Sequence, residues 1–129
     1  MPSLSNITST RILPIKAEQL ARLCASIASD KKAEDIVAID LRGISSFTDF
    51  FVICSGTSEP HLKAIASDLQ GRLKQEHGAS PMAVDGFPVS QWIVADYTDV
   101  VVHIFHQEKR ALYSLEDLWS DAPRLELAL

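Results

Sequence analysis

The sequence is short of cysteine, of phosphate-binding glycine patterns, of long apolar runs and of positive charge, and each shortage removes a class of protein. Only two cysteines occur, Cys24 and Cys54, thirty positions apart and each inside an apolar pattern. They read as reduced, buried thiols of a cytosolic chain, not as a disulfide framework. The longest strongly apolar stretches, residues 50–54 and 100–102, fall far short of the ~20 residues a membrane helix needs. Residues 1–13 carry no apolar centre of the kind a secretory leader has. Lys and Arg number 12 against 17 Asp and Glu, a net charge of −5. Affinity built on phosphate contacts is disfavoured by that balance, and a basic protein partner suits it better.

What is present is the composition of one globular domain. The 129 residues are 47% hydrophobic and 22% charged, enough to bury a core without a metal or a cross-link. Residues 1–13, rich in Ser, Thr and Asn, read as a mobile tail. Pro14 suits the first turn of a helix. Leu20, Leu23, Cys24, Ile27 and Ala28 then recur at helical spacing and predict an amphipathic helix over 15–32. Residues 36–41 and 50–55 read as strands. Gly56 ends the second, Thr57 or Ser58 caps a helix striped with Leu62, Ile65, Ala66, Leu69 and Leu73, and Gly78 closes it as a left-handed terminator. Residues 82–84 predict a short third strand, Asp85-Gly86 a turn, and Pro88 an open linker. Residues 92–95 and 100–105 predict a hairpin. A last helix over 108–120 is expected to face Leu112, Leu115, Leu118 and Trp119 inward, and residues 123–129 to fray.

The order α-β-β-α-β-β-β-α implies an α/β (α+β) domain over 14–122. It would be a mixed five-stranded sheet with three helices, containing one parallel pair from the βαβ passage. Alternation places Trp92 and Val94 on one face, with Val101, His103 and Phe105 on one face of the neighbouring strand. Both faces of these strands are apolar. Two arrangements fit: three helices leave part of the Trp92 face open as an aromatic contact patch, or the last helix covers it and Trp92 is core.

A search for catalytic chemistry returns little. The Ser55-Gly56-Thr57-Ser58 turn stands before a helix N-terminus, where anions bind. A nucleotidyltransferase would follow such a turn with paired carboxylates on a nearby strand to hold magnesium. Here Asp68 is mid-helix, and Asp96 and Asp99 lie at the hairpin. The P-loop and three-glycine patterns are missing, and a hydroxyl helix cap accounts for the turn. His61, His77, His103 and His106 make no metal-binding spacing, and His103 and His106 fall on opposite strand faces. Asp40 and Asp49 flank the first loop and read as loop-capping or solvated positions. The expectation is a protein without catalytic residue, metal or cofactor.

Three segments together carry a resemblance. The first is Asp35-Ile36-Val37-Ala38-Ile39-Asp40-Leu41 with Ser46-Phe47-Thr48-Asp49-Phe50-Phe51-Val52-Ile53-Cys54-Ser55-Gly56-Thr57-Ser58 and His61. The second is Val84-Asp85-Gly86, Trp92-Ile93-Val94-Ala95-Asp96-Tyr97 and Asp99-Val100-Val101-Val102-His103-Ile104-Phe105. The third is Arg110, Tyr113 and Leu115-Glu116-Asp117-Leu118-Trp119. In order and spacing, over residues 15–122, they resemble the ribosomal silencing factor (Iojap-like) family.

The resemblance implies a nucleotidyltransferase-like fold without the catalytic carboxylates. It implies binding to large-subunit ribosomal protein fourteen, at the face where the small subunit docks, so that subunit joining is blocked and translation falls when nutrients run short. Organellar relatives are tied to large-subunit assembly, which is the alternative role; a nucleotide-binding enzyme using the Gly56, Thr57, Ser58 turn is a further one. The family's partner-binding tryptophan falls on Trp92, which favours the open arrangement. Tyr97, His103, Phe105 and Tyr113 are expected to assist, the last three by strand face and helix position. The same face would serve a homodimer of the free chain. One departure is Thr98, where the family commonly has Gly before the Asp of the Asp-Val-Val strand; another is Gln91, where small or acidic residues are frequent.

Overall fold

The computed structural model describes residues 15–87 and 91–129. The tail over 1–13, Pro14 and the linker at Pro88 lie outside them. In chain order the elements are α1 (Ala17–Asp30), β1 (Glu34–Asp40), β2 (Phe50–Gly56), α2 (Glu59–His77), β3 (Ala83–Phe87), β4 (Trp92–Asp96), β5 (Val100–His106), α3 (Gln107–Tyr113) and α4 (Leu115–Leu118). The five strands form one mixed sheet in the order β1-β2-β5-β4-β3. β2 and β5 are the parallel pair, with Val52 opposite Val102; β1/β2, β4/β5 and β3/β4 are antiparallel. The expected fold class holds. The parallel neighbour of β2, however, is β5 and not the strand that follows α2: the chain runs to the far edge at β3 and returns through the hairpin.

Alternation divides the sheet into two cores. Ala38, Phe50, Val52, Cys54, Ala95, Val100, Val102 and Ile104 face α1 and α2 and pack against Leu20, Cys24, Ile27, Leu62, Ile65, Leu69 and Leu73. Ile39, Leu41, Ile53 and Phe105 face the other way, with Val37, Phe51, Trp92, Tyr113, Leu115 and Trp119 partly buried against them. Two long helices close the first face; among the described residues the short α3 and α4 and the stretch through Ala122 lie over the second.

Local chemistry explains the boundaries. Ser58 caps α2, its Oγ accepting the amide of His61 at 3.2 Å. Gly78 ends it at φ 66°, and the Ala79 amide reaches back to the Leu73 carbonyl at 3.1 Å, as a left-handed terminator does. Packing favours Gly56, since a Cβ there would stand 2.6 Å from Leu62 Cδ2 and the leucine would have to shift.

Three expectations are corrected. Asp85-Gly86 is no turn: both sit in β3, opposite Val94 and Ile93. An edge strand tolerates them because its ladder partner β4 satisfies the backbone on one side. The last helix is not continuous. Ser114 takes φ 48°, ψ 37° between α3 and α4, and this left-handed step turns Leu112 and Leu118 outward, 69% and 74% exposed, while Leu115 and Trp119 pack inward. Residues 123–127, expected to fray, are held against β1 and the first core. The Asp40 amide donates to the Pro123 carbonyl at 2.8 Å and the Leu125 amide to the Ala38 carbonyl at 2.9 Å, Arg124 bridges Ile39, and Leu125 and Leu127 pack on the first core.

Candidate functional site

The second sheet face carries a continuous aromatic cluster. Trp92 on β4 and Phe105 on β5 are directly paired residues, and their rings stack at 4.9 Å with 25° between planes. α3 follows β5 without a loop and folds back over this spot, which brings Tyr113 to 5.1 Å from Trp92 and 5.7 Å from Phe105. His103 sits diagonally from Trp92 on the same face. The Trp92 indole Nε1–H donates to His103 Nδ1 at 3.2 Å. Behind the imidazole, Phe51 meets it edge-on at 4.6 Å, and Trp119 meets Phe51 perpendicularly at 6.1 Å. Such offset and edge contacts add to the area each ring buries.

Four of the five residues expected at the site thus share one cluster, at different depths. Trp92 and Tyr113 are partly exposed, while Phe105 is fully buried and His103 is 6% exposed. Phe105 and His103 are therefore the floor beneath the accessible rings. Tyr97 is elsewhere. The alternation of β4 runs on through it, so it shares the face of Ile93 and Ala95, opposite to Trp92. It is 8% exposed in the core with Cys24 and is corrected to a residue of the α1/α2 layer. The hairpin holds it there: the Tyr97 amide donates to the Val100 carbonyl at 2.8 Å and the Asp99 amide to the Tyr97 carbonyl at 2.9 Å.

Burial sets the electrostatics. It pushes His103 down to about 4, so the imidazole is neutral near pH 7 and acts as an acceptor at Nδ1. Burial raises Tyr97 to about 12, and Cys24 and Cys54 to about 12 as well, leaving un-ionised thiols of low reactivity.

The enzyme-like turn is occupied from within. His61 Nδ1 accepts the Thr57 amide at 2.9 Å and lies 3.2 Å from the Thr57 hydroxyl, while its Nε2 donates to the Lys31 carbonyl at 2.8 Å. The amide a phosphate would seek is thereby held by a side chain. Asp40 is paired with Arg42 at 2.7 Å, which holds its carboxyl below the usual carboxylate range. Among the described residues no group of three or more His, Cys, Asp or Glu could hold a metal ion, and no helix is long and apolar enough to cross a membrane.

Sequence reasoning quoted Arg110 without giving it a role. Arg110, its side chain 12% exposed, binds Glu116 with two hydrogen bonds and also donates to the Asp35 carbonyl and Ser55 Oγ at 2.5 and 2.9 Å. It ties α3, α4, β1 and β2 together beside the aromatic cluster.

Fold and site define a small mixed-sheet α/β protein with a partly exposed aromatic cluster under a broken helix. Comparison with known proteins assigns it more closely. The family model described as "Ribosomal silencing factor during starvation" matches residues 14–129. Over 110 residues the chain is 44% identical to the ribosomal silencing factor RsfS of Halalkalibacterium halodurans, covering 85% of this chain and 93% of that protein. It is 40% identical to that of Bacillus subtilis over 110 residues, 85% of this chain and 92% of that protein. A crystal structure from Bacillus halodurans superposes with a TM-score of 0.72 at 43% identity, over 85% of this chain and 99% of that one. The chain belongs to the ribosomal silencing factor family.

Proposed function

We propose that this protein regulates translation by occupying the large ribosomal subunit. Through large-subunit protein fourteen, it would block small-subunit joining when nutrients are limiting. Family membership over residues 14–129 carries the reading, and the aromatic cluster supplies a physical means. Trp92 and Tyr113 offer apolar area with little side-chain entropy to lose on binding, on a floor already packed by Phe105 and His103. The net charge of −5 suits a basic partner protein. A chain of this size has a radius of gyration of about 14 Å, enough to obstruct a subunit interface by occupancy alone. No chemistry is needed.

Gradient sedimentation tests the reading. The protein is expected to travel with large subunits and to lower the yield of joined ribosomes from purified halves. Trp92→Ala is expected to stay folded and lose about 2 kcal/mol of affinity, roughly thirtyfold. Normal joining at saturating protein would refute the proposal. The rival nucleotide-binding reading predicts a higher melting temperature with nucleotide and magnesium.

A further inference from the structure

His103 is the least conventional member of the cluster. It is almost fully buried, on the strand adjacent to Trp92, and its Nδ1 faces the indole N–H at 3.2 Å. An indole nitrogen only donates, so Nδ1 must be the bare, accepting nitrogen and the proton must sit on Nε2. Among the described residues that Nε2 is buried without a hydrogen-bond partner. A buried donor left unpaired costs stability, and a leucine of similar size would avoid the cost. The imidazole is therefore poorly explained as core filling.

Its geometry explains it better. The Trp92 ring is stacked on Phe105 and flanked by Tyr113. Stacking fixes the plane of an indole but leaves open a half-turn about Cβ–Cγ that exchanges its two edges, since dispersion has little directionality. A hydrogen bond at the ring's one polar atom removes that freedom. Phe51 holds the imidazole edge-on from the far side, so the acceptor itself cannot swing.

We propose that His103 is a positioning residue that fixes which edge of the Trp92 indole faces inward, so that the ring is presented to the partner in one pose. His103 does not touch the partner; it acts through Trp92. The proposal deepens the docking function above and rests on Trp92 being the anchor.

The test compares His103→Leu, which removes the acceptor, with His103→Asn, whose Oδ1 falls where Nδ1 was. In the free protein, the Trp92 indole proton is followed by NMR. His103→Leu is expected to fold with an unchanged or raised melting temperature and to exchange that proton about five- to tenfold faster. Its retention on purified large subunits is expected to weaken about five- to tenfold, and His103→Asn to restore both. Unchanged indole exchange in His103→Leu overturns the proposal. So does faster exchange with full subunit affinity while Trp92→Ala loses it. If Trp92→Ala also binds fully, the anchor reading fails, and the exchange data separate that failure from the first.

Discussion

Arg110 grips Glu116 across the break between α3 and α4, Nε to Oε1 at 2.9 Å and Nη2 to Oε2 at 3.2 Å. Arg124 approaches the same carboxylate at 3.6 Å. The pair is the hinge pin of the segment that carries Tyr113. Removing the guanidinium also strands Ser55 Oγ and the Asp35 carbonyl. Arg110→Met is expected to cost about 2 kcal/mol of stability, read as a lower urea midpoint at unchanged slope. The Arg110 guanidinium holds the Glu116 carboxyl below its ordinary value. The contribution of the pair is thus complete above the ordinary carboxylate range and is lost as pH falls through the lowered one.

Thr98 adopts φ 73° in the β4/β5 hairpin, with its amide on Asp96 Oδ1 at 2.8 Å. The turn keeps the left-handed step in spite of the β-branched residue, so the strain is retained instead of relieved. Thr98→Gly is expected to stabilise the fold by about 0.5–1 kcal/mol, the relief of strain outweighing the greater freedom of glycine in the unfolded chain. Thermal denaturation checks it; a lower melting temperature would mean that the Thr98 side chain makes a favourable contact.

The buried imidazole gives stability a dependence on pH. His103 is held at about 4 in the folded chain against an ordinary 6.5. Between these values the unfolded chain takes up a proton that the folded chain refuses. Stability is full above about 6.5 and falls with pH through the window, by about 3 kcal/mol at its lower end. Urea titrations at stepped pH values are expected to show this loss. His103→Leu is expected to remove that part of the slope and leave the carboxylate part.

Tyr97 provides a control for the site. Its hydroxyl is buried without a partner among the described residues. Tyr97→Phe is expected to leave stability unchanged or raise it by up to about 1 kcal/mol, and to leave association with large subunits unaltered. Weaker association would return Tyr97 to the contact surface.

Period, caps and breakers are local properties, and they made much of the fold legible. The stripe Leu62, Ile65, Ala66, Leu69, Leu73 identifies α2 together with its buried face. Ser58 and Gly78 mark its ends, and alternation along residues 100–106 is enough to put His103 and Phe105 on one side of their strand. Tyr97 was legible in the same way: its odd spacing from Trp92 along one extended strand places it on the far face, and that local rule outweighs its nearness in the chain. The family resemblance rests on the same segments.

Relations between segments were decided only by tertiary structure. Residues six apart on one continuous helix point about 120° away from each other, so Arg110 and Glu116 do not look like a pair until the left-handed step at Ser114 brings them together. Strand order is equally non-local: β5 inserts between β2 and β4, parallel to one and antiparallel to the other, because pairing is set by how both sheet faces pack and not by order along the chain. Depth also lies outside a linear pattern. Trp92 and Phe105 read alike as aromatic strand residues, yet packing makes one a surface and the other its floor.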